Sequence, residues 1–185
     1  MPSRIHLDRA VRTMLAGGVV AYPTEAVWGL GCLALEHAAV LRILALKRRS
    51  WRMGLILIAS DFEQLAPFVT LPEGDRGQTI LASWPGPNSW VLPARPWIPD
   101  WLTGGRPTLA VRVTAHATAR GLCERAGQAL VSTSANVSGR PPLKRPWRVH
   151  REFGRDVDYI LPGALGDSPQ PTTLRDGSTG RVLRP

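Results

Sequence analysis

Apolar positions along the 185-residue chain follow two periods. Leu7, Val11, Met14 and Leu15 recur at helical spacing and predict a helix over 6–16, closed by Gly17-Gly18. The run GVVAY at 18–22 is continuously apolar and is stopped by Pro23, which predicts a buried strand. A second helix is predicted over 36–48, with Val40, Leu41, Leu44 and Ala45 as its apolar face. GLILIA at 54–59 reads as another buried strand, and 61–68 as a short helix capped by Asp61. Further strands are predicted at 89–94, 108–114 and 128–133, with a helix at 116–126 between the last two. A helix near 146–153, a strand at 157–161 and short strands near 172–175 and 181–184 complete the pattern. Continuous apolar strands alternating with helices predict an α/β domain over 1–185, its sheet covered on both faces.

Composition narrows the class. Hydrophobic residues make up 44% and charged residues 20%, as in a globular chain. Charge mixed into the first residues argues against a signal peptide, and the apolar runs are too short to span a bilayer, so no membrane association is expected. Cys32 and Cys123 form no CxxC pair, and a reducing cytoplasm is the expected compartment. The net charge of +9 points to anionic partners such as nucleotides, phosphates or RNA. Of the 23 basic residues, 21 are Arg and only Lys47 and Lys144 are Lys. That ratio is either genome composition or a sign that a surviving Lys sits where a compact ammonium is wanted and a fork-shaped guanidinium does not substitute.

No P-loop, HExxH or GxSxG motif is present. Gly29-Leu30-Gly31 resembles the start of a dinucleotide fingerprint, but 37–60 contains no acid to hold a ribose. The four histidines are scattered, so no protein-held metal site is expected. Lys47, Arg48, Arg49 and Arg52 crowd the end of a helix, more cations than a helix dipole needs, and suit a polyphosphate. The stretch 132–139, STSANVSG, is either a polar turn or a set of hydroxyl and amide groups at a strand end. Pro23-Thr24-Glu25 ends a strand and presents a hydroxyl. Arg112 inside the apolar strand LAVRV is either a structural ion pair or a clamp for a substrate carboxylate. The seven tryptophans read as core and rim packing. Pro171-Thr172-Thr173 and Leu183-Arg184-Pro185 add hydroxyls and cations near the C-terminus.

Taken in order, AYPTEAVWGLGC (21–32), LKRRSWRMGLILIA (46–59), WPGPNSWVLPA (84–94), LAVRVTAH (109–116), LVSTSANVSGRPP (130–142) and LRDGSTGRVLR (174–184) resemble the YrdC/TsaC family of threonylcarbamoyl-AMP synthases, in its short bacterial form. The resemblance implies a single YrdC-like domain, a twisted mixed sheet flanked by helices with a basic concave cleft. It implies ATP, L-threonine and bicarbonate as substrates, with Mg²⁺ carried mainly by the ATP phosphates. It implies threonylcarbamoyl-AMP and pyrophosphate as products, and downstream proteins that transfer the threonylcarbamoyl group to tRNA. By motif position, Lys47, Arg49, Ser134 and Asn136 are the expected catalytic set. Thr24, Arg112, Ser132 and Thr172 are expected to hold threonine, and Arg49, Thr108, Ser134 and Arg184 the nucleotide. Lys47 thus falls at a motif position, whereas Lys144 matches none. Met53, Asn88-Ser89 and Thr172 depart from the family pattern. Alternatives are a related former of carbamoyl adenylate and an RNA-binding or ribosome-assembly module, and the surplus charge suits tRNA or double-stranded RNA as a further partner.

Overall fold

A computed structural model describes residues 2–168 and 172–184, so that Met1, Pro171 and Pro185 of the segments singled out above lie outside the described residues. The apolar runs pair into one mixed sheet. Its strands are β1 (Val20–Pro23), β2 (Trp28–Leu33), β3 (Ile56–Ala59), β4 (Asn88–Pro93), β5 (Thr108–Val113), β6 (Leu130–Ser134), β7 (Tyr159–Ile160), β8 (Thr173–Asp176) and β9 (Val182–Arg184). Their order is β7-β1-β2-β6-β3-β5-β4-β8-β9. The pairs β1–β7, β3–β5 and β4–β8 are parallel, and the other five are antiparallel.

The helices are α1 (Arg4–Leu15), α2 (His37–Leu46), α3 (Gly74–Ala82), α4 (Asp100–Thr103), α5 (Ala117–Ala126) and α6 (Pro146–Phe153). Strand alternation divides the core between two faces. Val20 and Tyr22 of β1, Ile58 of β3 and Leu130 of β6 pack with Leu7, Val11 and Met14 of α1 and with Leu122 of α5. Their neighbours Ala21, Leu57 and Val131 face the other way, toward Val40 and Ile43 of α2 and Val149 and Phe153 of α6. Burial on both faces explains the continuous apolar runs. Among the described residues no helix is long and apolar enough to cross a membrane.

Several expectations are corrected. Residues 61–68 form successive turns, not a helix; Pro67 interrupts the segment, although Asp61 does accept the Gln64 amide at 3.1 Å. Residues 28–33 are a central strand that apolar patterning did not reveal. Helices α3 and α4 were likewise not expected. The buried stripe of α2 is Ala39, Val40, Ile43 and Leu44, leaving Leu41 and Ala45 exposed. Leu15 of α1 is also exposed.

The glycines of β2 have a packing purpose. A Cβ on Gly31 would come within 2.5 Å of the Val131 carbonyl and 2.8 Å of the Tyr22 ring. A Cβ on Gly29 would press on Thr24 at 3.2 Å. Bare backbone here lets Tyr22 and Thr24 lie across the sheet.

Candidate active site

On the face shared with α1 and α5, β6 places Leu130, Ser132 and Ser134 in one row. Leu130 is packed in the core, while Ser132 and Ser134 line a cavity of about 240 Å³. Arg112 of β5 lies opposite Ile58 of β3, and both also line it. Thr24, Glu25, Arg49, Ser89, Thr172 and Arg184 complete its polar wall. The Thr24 hydroxyl donates to the Val27 carbonyl at 2.7 Å, which fixes the turn between β1 and β2. The Ser89 and Thr172 hydroxyls lie 3.2 Å apart, so β4 and β8 close the far side.

Arg112 meets Glu25 at 3.0 Å between Nη1 and Oε1, with both side chains largely buried. Oε1 also accepts the Thr114 hydroxyl at 2.6 Å. Burial alone would raise the Glu25 carboxyl, but the Arg112 guanidinium and the Thr114 hydroxyl outweigh it and hold the group below the usual carboxylate range. Arg112 is therefore ion-paired and also lines the cavity.

A second, shallower cavity of about 330 Å³ adjoins the first and shares Arg49 and Ser134 with it. Lys47, Asn136 and Ser138 also line it. The end of α2 builds this region. Arg49 N–H donates to Leu44 O and Arg48 N–H to Ala45 O, each at 2.9 Å, closing the helix through Arg48 at φ 48°. This is the left-handed position usually given to Gly or Asn. The turn buries Lys47 and sends Arg49 to the junction of the two cavities.

Lys47 Nζ donates to the Ser134 carbonyl, to the Asn136 carbonyl at 3.0 Å and to Asn136 Oδ1 at 3.2 Å. Burial, with Arg49 alongside, pulls its pKa down to about 8. Asn136 Oδ1 accepts the Ser134 hydroxyl at 2.5 Å, and its amide donates to the Val137 and Arg140 carbonyls at 3.0 and 2.7 Å. Lys47 and Asn136 thus tie the strand-end loop into one unit. Arg49 Nη2 donates to the Gly54 carbonyl at 3.0 Å, but its buried Nε has no hydrogen-bond partner. Burial and the guanidiniums of Arg184 and Arg106 destabilise its charge and lower its pKa, so the junction favours an incoming anion.

The structure gathers almost every expected site residue. Thr24, Arg49, Arg112, Ser132, Ser134, Thr172 and Arg184 line the inner cavity, and Lys47, Arg49, Ser134 and Asn136 the outer one. Thr108 lines neither; it begins β5 opposite Pro93. Met53 lines the outer cavity and is largely exposed. Lys144 is exposed and lies outside both cavities. Glu25 was not expected as a site residue. Its signal was isolation, for no other acid occurs between Asp8 and Glu36. Among the described residues no cluster of three or more His, Cys, Asp or Glu is placed to hold a metal ion.

Comparison with known proteins agrees with this architecture. The Sua5/YciO/YrdC family model, described as "Telomere recombination", matches residues 12–185. A threonylcarbamoyl-AMP synthase of Halorhodospira halophila is 54% identical over 175 residues, 95% of this chain and 92% of that protein. The crystal structure of P. abyssi Sua5 complexed with L-threonine superposes with a TM-score of 0.89 at 33% identity; the match covers 97% of this chain but about half, 53%, of that longer chain. E. coli YciO superposes with a TM-score of 0.86 at 25% identity, over 100% of this chain and 90% of that one. The chain therefore belongs to the Sua5/YciO/YrdC family.

Proposed function

We propose that this protein is a threonylcarbamoyl-AMP synthase, joining L-threonine, bicarbonate and ATP with release of pyrophosphate. The observation that carries this reading is the shared wall of the two cavities. Arg49 and Ser134 stand where a small pocket with hydroxyls and an ion-paired arginine opens onto a lysine-braced loop. One side suits an amino acid and the other a polyphosphate, and the reacting groups would meet at the junction. The names of the curated relatives and the threonine bound to Sua5 support the same assignment.

Threonine occupies the inner cavity, with Arg112 on its carboxylate and Thr24, Ser132 and Thr172 around its polar atoms. Its α-ammonium group condenses with bicarbonate to a carbamate, with loss of water and a proton. A carbamate oxygen then attacks the α-phosphorus of ATP. The new O–P bond forms as the bond to the β-phosphate bridging oxygen breaks, and pyrophosphate leaves. Anion attacks anion, so the barrier falls by positioning and fixed positive charge rather than by a nucleophilic side chain. Arg49 supplies the charge at the junction, and Arg184 adds to it from the inner wall. Lys47 and Asn136 hold the loop bearing Ser134 in place, and Lys47 contributes its charge to the wall of the outer cavity. ATP enters as its magnesium complex, the ion riding on phosphate oxygens. The product passes to proteins that modify tRNA, which places the reaction in the cytoplasm.

The test is pyrophosphate release by the purified protein. Release should require both L-threonine and bicarbonate; release that ignores either one contradicts the proposal.

RNA contact is a second use of the surplus charge. The observation favouring it is Trp147 on α6, exposed and flanked by the Arg148 and Arg151 guanidiniums at 5.3 and 5.4 Å from its rings. Filter binding of RNA across a salt titration should show a steep slope that Trp147→Ala with Arg151→Ala flattens; an unchanged slope removes this surface.

A further inference from the structure

Among the described residues Glu25 is the only carboxylate lining the inner cavity. Its two oxygens are in different states. Oε1 accepts the Thr114 hydroxyl and touches Arg112 Nη1. Oε2 is buried and has no hydrogen-bond partner. A buried carboxylate oxygen without a donor is costly, so its persistence calls for an occupant that supplies one. Arg112 mirrors this state. Its Nη1 lies 3.0 Å from Glu25, yet neither Nη1 nor Nε makes an aligned hydrogen bond. The cavity floor therefore sets an unfilled acceptor beside unfilled donors. A free α-amino acid carries the complement, a carboxylate for the guanidinium and an ammonium for the carboxylate.

We propose that Glu25 is a substrate-binding residue that reads the α-ammonium of the amino acid while Arg112 reads its carboxylate. The inference rests on the function proposed above and adds a residue and a recognition rule to it. Glu25 is not the base that deprotonates the amine, because Arg112 and Thr114 hold its carboxyl below the usual range. Its part is orientation. Once the amine has become a carbamate, one N–H remains for Glu25, and the new carboxylate is repelled by it. The repulsion turns the nucleophile toward Arg49 and Ser134, the two residues shared with the outer cavity.

The experiment compares binding of L-threonine with that of 3-hydroxybutanoate, its analogue with hydrogen in place of the amine and so no donor at that carbon, measured by calorimetry without ATP. The unaltered protein should prefer threonine by about tenfold or more, as expected when a buried acceptor is left unpaired by the analogue. Glu25→Gln should weaken threonine by about tenfold, and leave the analogue equal or tighter because Arg112 is no longer shared. Equal affinity of the unaltered protein for the two ligands overturns the proposal, and this arm needs no variant to fold. Parallel weakening of both ligands in Glu25→Gln also overturns it, since it would show Glu25 merely bracing Arg112. Pyrophosphate release that depends on threonine and bicarbonate, together with equal ligand affinities, would leave the synthase reading intact and remove only this one.

Discussion

The two adjoining cavities differ in how far the protein satisfies its own polar groups. Around the outer one, the Lys47 ammonium has three oxygen acceptors and the Asn136 side chain has partners for both its oxygen and its nitrogen. The inner one keeps Glu25 Oε2, Arg112 Nε and Arg112 Nη1 buried without hydrogen-bond partners. A satisfied network fixes shape, and an unsatisfied one awaits a ligand. The outer wall is thus a braced loop, the inner floor is the proposed receptor, and Arg49 joins them with one nitrogen bonded and one not.

The largest effect is expected where the brace is removed. Lys47→Arg should lower kcat/KM by about a hundredfold or more in pyrophosphate release, because a planar guanidinium does not fit three oxygens converging on one nitrogen. Turnover within threefold of the unaltered protein would show the brace to be dispensable. On the receptor side, Arg112→Lys should raise the KM for threonine about thirtyfold and leave that for ATP unchanged, since the bidentate geometry toward a carboxylate is lost. A change in both constants would mean the two cavities are not separable.

Gly31→Ala tests the frame beneath the receptor. A Cβ there meets backbone oxygen at 2.5 Å and the Tyr22 ring at 2.8 Å, and should cost about 2 kcal/mol in denaturant unfolding. A neutral outcome would mean that β2 and β6 separate more easily than their pairing suggests.

The pH response should again divide brace from receptor. Burial brings the Lys47 pKa from near 10.5 down to about 8. Activity that needs the ammonium should fall as pH rises through about 8, by roughly tenfold per unit beyond it. Between about 8 and 10.5 the folded chain carries fewer protons at this site than the unfolded chain, so this group makes stability rise with pH there. Activity and stability should therefore diverge, and the residual activity of Lys47→Arg should lack that alkaline limb. The smallest effect is expected at Thr24→Val, about threefold in the KM for threonine, because that hydroxyl is already engaged with the Val27 carbonyl.

Much of the fold was legible in the sequence because burial on both faces leaves a continuous apolar signature, as in β1 and β3. Strand β2 was not, because Gly29 and Gly31 interrupt that signature to make room for Thr24 and Tyr22. Helix α3, GDRGQTILA, carries two glycines and buries few side chains, so its period is faint. Lys47 stood out by the scarcity of lysine and Arg112 as a charge within an apolar strand. Glu25 resembled an ordinary turn residue, because its partner Thr114 lies 89 positions away and only the assembled run β1-β2-β6-β3-β5 of the sheet brings the pair together. Thr108, carried over by motif position, lines neither cavity.

The most direct measurement follows label from ¹³C-bicarbonate into the nucleotide product formed with L-threonine and ATP, read by mass spectrometry. If the inner cavity delivers a carbamate to the α-phosphate at the Arg49–Ser134 junction, the adenylate should carry one ¹³C and the mass of threonylcarbamoyl-AMP. An unlabelled threonyl adenylate, made by attack of the amino acid's own carboxylate, would contradict the account.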